Sequence, residues 1–170
     1  MNAVDVALCF LAKTVKDATK EECEMSKSVL QAMLFFAQEE YLYKTNKPLF
    51  KEDIVAWRSG PVVYAVWLHF DHAEQETMIN LSLQDQTLHK LTQEQQEVID
   101  FVWNKYGNKE ESALENITHS YQIWQDHFNG HDSGKNIISK EEIYDYKVEQ
   151  EEAIKEAKQQ MREGAAILGF

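Results

Sequence analysis

The chain has 170 residues, enough for one domain with a substantial core, and 44% of them are hydrophobic. Aspartate and glutamate number 29 against 17 lysines and arginines, which sets the formal net charge at −12. Nonspecific affinity for nucleic acid comes mostly from basic side chains that neutralise phosphates, so no direct nucleic-acid partner is expected. The charge is compatible with an ordinary soluble acidic surface or with a basic protein partner.

Cysteine usage and the apolar runs point to a cytoplasmic protein. Cys9 and Cys23 are too few for a disulfide framework or a zinc knuckle. The N-terminal run from Ala3 to Ala12 has no basic flank and contains Asp5, so it does not have the pattern of a signal peptide. No apolar run approaches the about 18 residues of a membrane-spanning helix, so no membrane partner is expected.

The apolar pattern predicts a mainly α-helical protein that forms a single compact domain. Residues 4–17 and 27–44 carry apolar side chains every three or four positions, as amphipathic helices do. The second segment has the broader apolar face, so it is expected to be the central helix. Asn46 and Pro48 are expected to end it, because Pro48 has no backbone N–H and disfavours helical geometry in the residue before it.

The next segment is interrupted by a Gly-Pro pair. Residues 54–57 are a short amphipathic piece compatible with a strand, and Gly60-Pro61 is expected to break the chain and start a helix, since proline is favoured in the first turn. Five residues of that helix would face the core: Val62, Val63, Val66, Trp67 and Phe70. We expect β-structure at most as a short strand or hairpin around residues 77–91, where apolar residues weakly alternate.

Three later helices are predicted from capping boxes, in which a hydroxyl and an acid or amide three residues later satisfy each other's backbone N–H groups. The pairs are Thr92 with Gln95, Ser112 with Glu115, and Ser139 with Glu142. The first of these helices is expected to stop at a left-handed Gly107, and the third to run from residue 140 to about 162 with a thin apolar face. Residues 129–136 (NGHDSGKN) are rich in turn formers, which predicts a flexible loop.

The histidines offer one candidate metal site, formed by His119, His127 and His131. His127 and His131 are four residues apart, a spacing that can place two imidazoles on one side of a helix. Asn129-Gly130 lies between them and should interrupt a helix, so no metal is expected and a metal-dependent hydrolase remains only an alternative. The sequence has no nucleophile elbow, phosphate loop or Cys–His arrangement, so we expect no catalytic residues, no cofactor and no enzyme activity.

Trp57 directly precedes Arg58-Ser59-Gly60-Pro61. An aromatic side chain and an arginine beside a rigid turn are typical of an interface anchor, and for Trp57 a core position and an interface position are equally open. Trp67 and Trp103 are expected in the core.

Several of these segments resemble, in order, the Panacea domain typified by the SocA antitoxin, over about residues 3–146. Leu30-Gln31 through Phe36-Ala37-Gln38 resembles the family's L-Q-K-L-x-Y-x-A-Q helix. Its most recognisable block is matched by Lys47-Pro48-Leu49-Phe50 and then Ile54-x-Ala56-Trp57-x-x-Gly60-Pro61-Val62. Thr118-His119 with Trp124 is similar to its T-H-x-x-x-x-W motif. Departures from the family's usual residues include Ala32 in place of Lys, Phe35 in place of Tyr, Tyr121 in place of an acid, and Ile123 in place of Pro.

The resemblance implies a mostly helical antitoxin domain over residues 1–146, with residues 147–170 as a C-terminal helical extension and apolar tail. It implies a cognate toxin protein as the partner, neutralised by direct binding or by delivery to a host protease. Partner-binding residues are predicted in the family's blocks: Trp57, Arg58, Gly60, Pro61, Thr118, His119 and Trp124. The long C-terminal helix is a further candidate for partner contact, because its thin apolar face indicates that it is either largely solvated or held by a partner. The departures at Tyr121 and Ile123 keep open an alternative, a phage or mobile-element protein that binds a host factor. The oligomeric state stays open.

Overall fold

The computed structural model describes residues 1–16, 25–74 and 91–167. The structure confirms the predicted mainly α-helical fold, since seven helices and one small sheet occupy these ranges. In chain order the elements are α1 Ala3–Lys16, α2 Lys27–Thr45, β1 Ile54–Trp57, β2 Gly60–Val63, α3 Tyr64–His69, α4 Gln93–Tyr106, α5 Glu111–His119, α6 Gln122–His127, β3 Ile137–Ile138 and α7 Lys140–Ile167. No helix in these ranges is long and apolar enough to cross a membrane.

Helix α2 is the centre of the fold, as its sequence predicts. Every residue from Val29 to Leu42 is buried, and α1, α4, α5, α7 and β2 all pack against the helix. The hydroxyl of Ser26 accepts a hydrogen bond from the N–H of Val29 at 3.2 Å and caps the start of the helix. Asn46 ends it in a left-handed conformation (φ 53°), with its N–H donating to the carbonyl of Leu42 at 2.8 Å.

Strand β1 coincides with residues 54–57, whose sequence is compatible with a strand, but β2 and β3 lie away from residues 77–91, where β-structure was expected. The sheet has the order β2-β1-β3 with both pairs antiparallel, and β1 and β2 form a hairpin that pairs Trp57 with Gly60 across Arg58 and Ser59. Apart from Leu91, the predicted strand or hairpin at residues 77–91 falls outside the described residues.

The prediction that Gly60-Pro61 starts a helix is wrong, because both residues belong to β2 and α3 begins only at Tyr64. The missing N–H of Pro61 is tolerated because β2 is an edge strand of the sheet. The two valines that follow favour extended backbone, and the side chain of Gln31 in α2 accepts the N–H of Val63 at 2.7 Å.

The capping boxes at Thr92–Gln95 and Ser139–Glu142 are confirmed. The box at Ser112 is wrong, because α5 already begins at Glu111, its N-cap is Glu110, and that cap has no side-chain hydrogen bond. Gly107 does follow α4, but with right-handed helical φ (−62°) in place of the left-handed conformation expected. A side chain at position 107 would come within 2.6 Å of the carbonyl oxygen of Trp103, which explains the glycine by close approach.

The loop predicted to be flexible, residues 129–136, is hydrogen-bonded along the side of β1. The backbone carbonyl of Asn136 accepts the N–H of Ala56 at 2.8 Å, and the side-chain amide of Asn136 donates to the carbonyl of Ala56 at 3.1 Å. The same amide donates to the carbonyl of His131 at 3.1 Å. These bonds extend the sheet beyond β3 and place residues 131–133 beside the hairpin turn.

Helix α7 runs five residues past its predicted end. Near its start, Ile143 and Lys147 are buried against α2, whereas every side chain from Glu152 to Glu163 is exposed. The helix therefore begins as part of the core and continues beyond it. The apolar tail was predicted for residues 164–170, but residues 164–167 belong to α7, and residues 168–170 lie outside the described residues.

Candidate functional site

The backbone of Trp57 joins the hairpin to α6. The indole N–H of Trp124 donates to the carbonyl of Trp57 at 2.9 Å, and the indole N–H of Trp57 donates to the carbonyl of Ser133 at 3.2 Å. One residue along, the backbone N–H of Arg58 donates to a carboxylate oxygen of Asp132 at 2.7 Å. The turn of the hairpin is therefore held on both sides, by α6 and by the loop before β3, while the side chain of Arg58 stays exposed.

Gly60 lies against Thr118 at the end of α5. Gly60 has φ of 114°, a backbone conformation that L side chains rarely adopt, and a Cβ there would come within 2.9 Å of the Thr118 hydroxyl oxygen. Thr118 is 1% exposed, and its hydroxyl donates to the carbonyl of Glu115 at 3.0 Å. Hairpin and α5 thus approach each other at a point where only glycine fits.

His119 and Trp124 stack face to face, with ring centroids 4.0 Å apart and planes 11° apart. Trp124 also stacks on Phe128 at 5.2 Å and 12°. The Nε2 atom of His119 is buried without a hydrogen-bond partner, and the nearest carboxylate oxygen, on Glu115, is 4.0 Å away. The aromatic stack fixes the α5–α6 corner that supports the hairpin.

Two buried glutamines of α2 connect the other motif segments. Gln31 binds Val63 of β2, as described above. The side-chain oxygen of Gln38, which is 0% exposed, accepts the N–H groups of Leu49 and Phe50 at 3.1 Å each, and its amide donates to the carbonyl of Phe50 at 3.2 Å. The segments that resemble the family's motifs, namely α2, residues 49–50 and β2, are therefore hydrogen-bonded to one another in the folded protein.

Comparison with known protein families identifies the family of this chain. The family of SocA-like antitoxins with a Panacea domain matches residues 30–125, more than half of the chain. The chain belongs to this family. Searches of curated proteins and of solved structures found no match.

Within this Panacea domain, most of the residues predicted to bind a partner are buried or hydrogen-bonded inside the protein. Gly60, Pro61 and Thr118 are buried, and Trp124 is bound to the hairpin backbone. Arg58 is the one member of the predicted set that is classed as exposed, and Ser59 is exposed beside it. Sequence motifs identify the parts that shape the hairpin, because shape depends on buried contacts, but they do not reveal which side chains reach solvent.

A partly exposed aromatic cluster lies next to the turn. Trp57 makes edge-on contacts with Tyr64 at 5.8 Å and with Trp67 at 5.2 Å, and Tyr64 and Trp67 stack at 5.9 Å and 11°. Tyr64 is 40% exposed and Leu68, one helical turn on, is 53% exposed. We call Trp57, Tyr64, Trp67 and Leu68 the aromatic face.

The aromatic face corrects the prediction that Trp67 belongs to the core. Of the five residues expected to face inward, the other four are buried, whereas Trp67 is half-buried on the opposite side of α3. The sequence did not predict Tyr64 and Leu68 as surface residues of this cluster. Their spacing of four residues, with Trp67 between them, was the available signal for a second apolar side on this helix.

Two departures from the family's usual residues contact each other in the interior. Phe35 and Tyr121 pack edge-on, with ring centroids 5.4 Å apart and planes 76° apart, and Tyr121 also lies 5.0 Å from Tyr146 of α7. The hydroxyl of Tyr121 donates to Glu39 at 3.4 Å. These two residues therefore affect the packing of α2, the start of α6 and α7.

Glu39 belongs to a buried ionic cluster that attaches α7 to α2. The ammonium of Lys147 lies 3.7 Å from Glu39, 3.8 Å from Glu40 and 3.0 Å from Glu151. Burial raises the pKa of Glu39 to about 7, although Lys147 and the Tyr121 hydroxyl both favour the charged form. Burial also raises the pKa of Tyr121. For Lys147, burial opposes the charge, but Glu39, Glu151 and Glu40 outweigh it, so its pKa is raised.

The three histidines considered as metal ligands have separate surroundings. Nδ1 of His127 donates to the carbonyl of Ile123 at 2.8 Å and its Nε2 lies 3.3 Å from Glu142, whereas His119 is stacked on Trp124. His131 is in the loop before β3, where its carbonyl binds Asn136. In the parts of the chain that the structure describes, no three His, Cys, Asp or Glu side chains are grouped to hold a metal ion.

Proposed function

We propose that this protein is an antitoxin that neutralises a cognate toxin by binding it directly, without catalysis. The observation that carries the proposal is membership of the SocA-like antitoxin family over residues 30–125. The hairpin geometry supports it, because the family's motif residues hold one rigid turn against α5 and α6. A preorganised surface loses little conformational entropy on binding, which is what a tight protein–protein contact requires.

The toxin-binding surface that we propose consists of the aromatic face together with Arg58. Trp, Tyr and Arg are the side chains most enriched among residues that dominate protein–protein affinity, and all three types occur here. Leu68 and Tyr64 are exposed in the free protein, so their burial by a partner would be favourable. Gly60, Pro61, Thr118, His119 and Trp124 would then act indirectly, by holding the turn and the aromatic face in place.

Co-expression with each neighbouring reading frame tests this proposal. A neighbour that stops growth alone, permits growth with this chain, and co-purifies with it would support direct neutralisation. Rescue without a stable complex, with toxin levels that rise when a host protease is removed, would support delivery to that protease instead. If no neighbouring product is toxic, or if a toxic neighbour is neither bound nor neutralised, the antitoxin proposal fails.

A further inference from the structure

The outer part of α7 has no packing partner in the described structure. The twelve residues from Glu152 to Glu163 all have exposed side chains and span roughly 18 Å of helix. Two large apolar residues are included, with Ile154 44% exposed and Met161 73% exposed. An isolated helix of this length is marginal in water, so a free-standing section with exposed apolar side chains suggests an interaction surface.

The exposed apolar residues continue the side of α7 that is buried on α2. Ile143 and Lys147 lie on that side, and Ile154 and Met161 follow at intervals of seven residues, which returns to nearly the same side of a helix. Ala157 lies between them on the same stripe. The side of α7 that packs on α2 therefore continues into the section of the helix that no other described element covers.

The charges of this section are sorted by side. Lys155, Lys158 and Arg162 are spaced by three and four residues along one edge of the apolar stripe, and we call them the basic edge. The opposite side of the helix is acidic, carrying Glu152, Glu156 and Glu163. A basic edge is a distinct feature in a chain with a net charge of −12.

The charge pattern argues against a second copy of the chain as the occupant of the stripe. Antiparallel pairing of two α7 helices would bring the same edges together, so basic edge would face basic edge. Parallel pairing would place two bodies of net charge −12 side by side without ion pairs along the stripe. A lipid surface fits poorly as well, since the acidic side opposes an anionic membrane and the stripe has only two large apolar residues.

We propose that the outer section of α7 docks into an apolar groove on the toxin whose rim, next to the basic edge, carries aspartate or glutamate. The proposal rests on the proposed antitoxin function and adds a second contact to the aromatic face. Ile154 and Met161 would enter the groove as anchors one helical repeat apart, in the way an amphipathic helix binds its partner. The basic edge would fix the orientation and accelerate association.

The first test removes the apolar anchors while keeping a good helix former at each position. Ile154→Gln/Met161→Gln should weaken binding of the purified toxin about tenfold or more, measured by isothermal titration calorimetry, and should impair growth rescue. Glu152→Gln/Glu163→Gln changes two exposed residues on the opposite side and should leave affinity within about twofold. All four positions are exposed, so circular dichroism should report unchanged helix content.

The second test reverses the basic edge. Lys155→Glu/Lys158→Glu/Arg162→Glu should lower the association rate constant about tenfold at low salt, and the deficit should shrink as ionic strength rises. Lys47→Glu/Lys51→Glu/Lys109→Glu makes the same change in net charge at exposed sites elsewhere and should have a smaller effect. Equal effects of the two triple variants would show that only net charge matters and would overturn the basic-edge assignment.

The outcomes separate this inference from the function on which it rests. If the wild-type chain neutralises a toxin and Ile154→Gln/Met161→Gln neutralises and binds it equally well, the α7 contact is wrong and the antitoxin function stands. If the wild-type chain neutralises no toxin, the antitoxin function is wrong and the α7 proposal falls with it.

Discussion

The hydroxyl of Thr118 occupies the space that a side chain on Gly60 would need, with only 2.9 Å between that oxygen and a Cβ at position 60. The contact joins two motifs that are 58 residues apart in the chain, the turn of the hairpin and the end of α5. It explains in one distance why a glycine is required in β2 and why a small buried hydroxyl suits the end of α5.

Gly60→Ala should therefore destabilise the protein by about 1–3 kcal/mol, through positive φ and through the clash with Thr118. Chemical denaturation with urea measures the loss. Gly130→Ala is the matched control, because Gly130 also has positive φ (92°) but open space around a Cβ, so it should cost less. Adding Thr118→Ala to Gly60→Ala should recover part of the loss, and strictly additive effects would contradict a direct clash.

Gln38 should be among the most sensitive polar positions in the core. Gln38→Leu would leave two backbone N–H groups and one carbonyl without their partner, which should cost about 2–4 kcal/mol in the free energy of unfolding. The exposed Gln150→Leu in α7 gives a control with the same chemical change and should have little effect. A loss below about 1 kcal/mol for Gln38→Leu would mean that water replaces these hydrogen bonds.

Stability should fall as pH rises from about 4.5 to about 7, through Glu39. Burial raises the pKa of this carboxyl in the folded protein from 4.5 to about 7, so the folded state binds the proton more tightly than the unfolded state across that window. The stabilisation that Glu39 contributes is fully present below its pKa in the unfolded chain. It is lost as pH rises through its pKa in the folded protein, and the loss is at most about 3 kcal/mol in the free energy of unfolding.

The measurement for Glu39 is the difference between wild type and Glu39→Gln in urea denaturation at pH 5, 6, 7 and 8. Glutamine cannot titrate, so the wild type should lose stability relative to the variant as pH rises. Lys147, Lys105, Glu40 and Tyr121 also face this carboxyl and are present in both proteins. A difference that is constant from pH 5 to pH 8 would contradict the raised pKa.

The aromatic face should matter for toxin binding more than for folding. Arg58→Ala/Leu68→Ala removes two exposed side chains, so stability should change by less than about 1 kcal/mol while toxin affinity falls about tenfold or more. Phe101→Ala is the matched control, since Phe101 is an exposed apolar residue (39%) on α4. Full neutralisation by the folded double variant would place the toxin contact elsewhere.

Trp57→Ala should differ from that double variant, because Trp57 has both roles. Its indole donates to Ser133 and contacts Tyr64 and Trp67, so its loss should lower stability by about 2 kcal/mol as well as weaken binding. Differential scanning calorimetry measures the loss of stability, and isothermal titration calorimetry with the toxin measures the loss of affinity. An unchanged melting temperature would show that the bond to Ser133 contributes little.

The sequence by itself determined the long helices and several of their ends, but not the starts of α3 and α5, the short helix α6 or the end of α7. The apolar period of α2, its stop at Asn46 and the capping boxes of α4 and α7 are local features, because a helix satisfies its backbone within its own turns. The family's motif residues could also be identified from local spacing. The contacts that these residues make could not be predicted in the same way. A glutamine such as Gln38 is expected at the surface from its polarity, and its burial follows only from its hydrogen bonds to Leu49 and Phe50.

The tertiary structure alone decided which segments pair with β1 and which side chains are exposed. Pro61 favours a helix start locally, but pairing of β1 with both β2 and β3 and the bond from Gln31 to Val63 select the extended form. Trp67 has the composition of a core residue, yet α3 turns it toward Trp57 and Tyr64 at the surface. Strand pairing and exposure depend on contacts between residues far apart in the chain, and local sequence preferences do not contain that information.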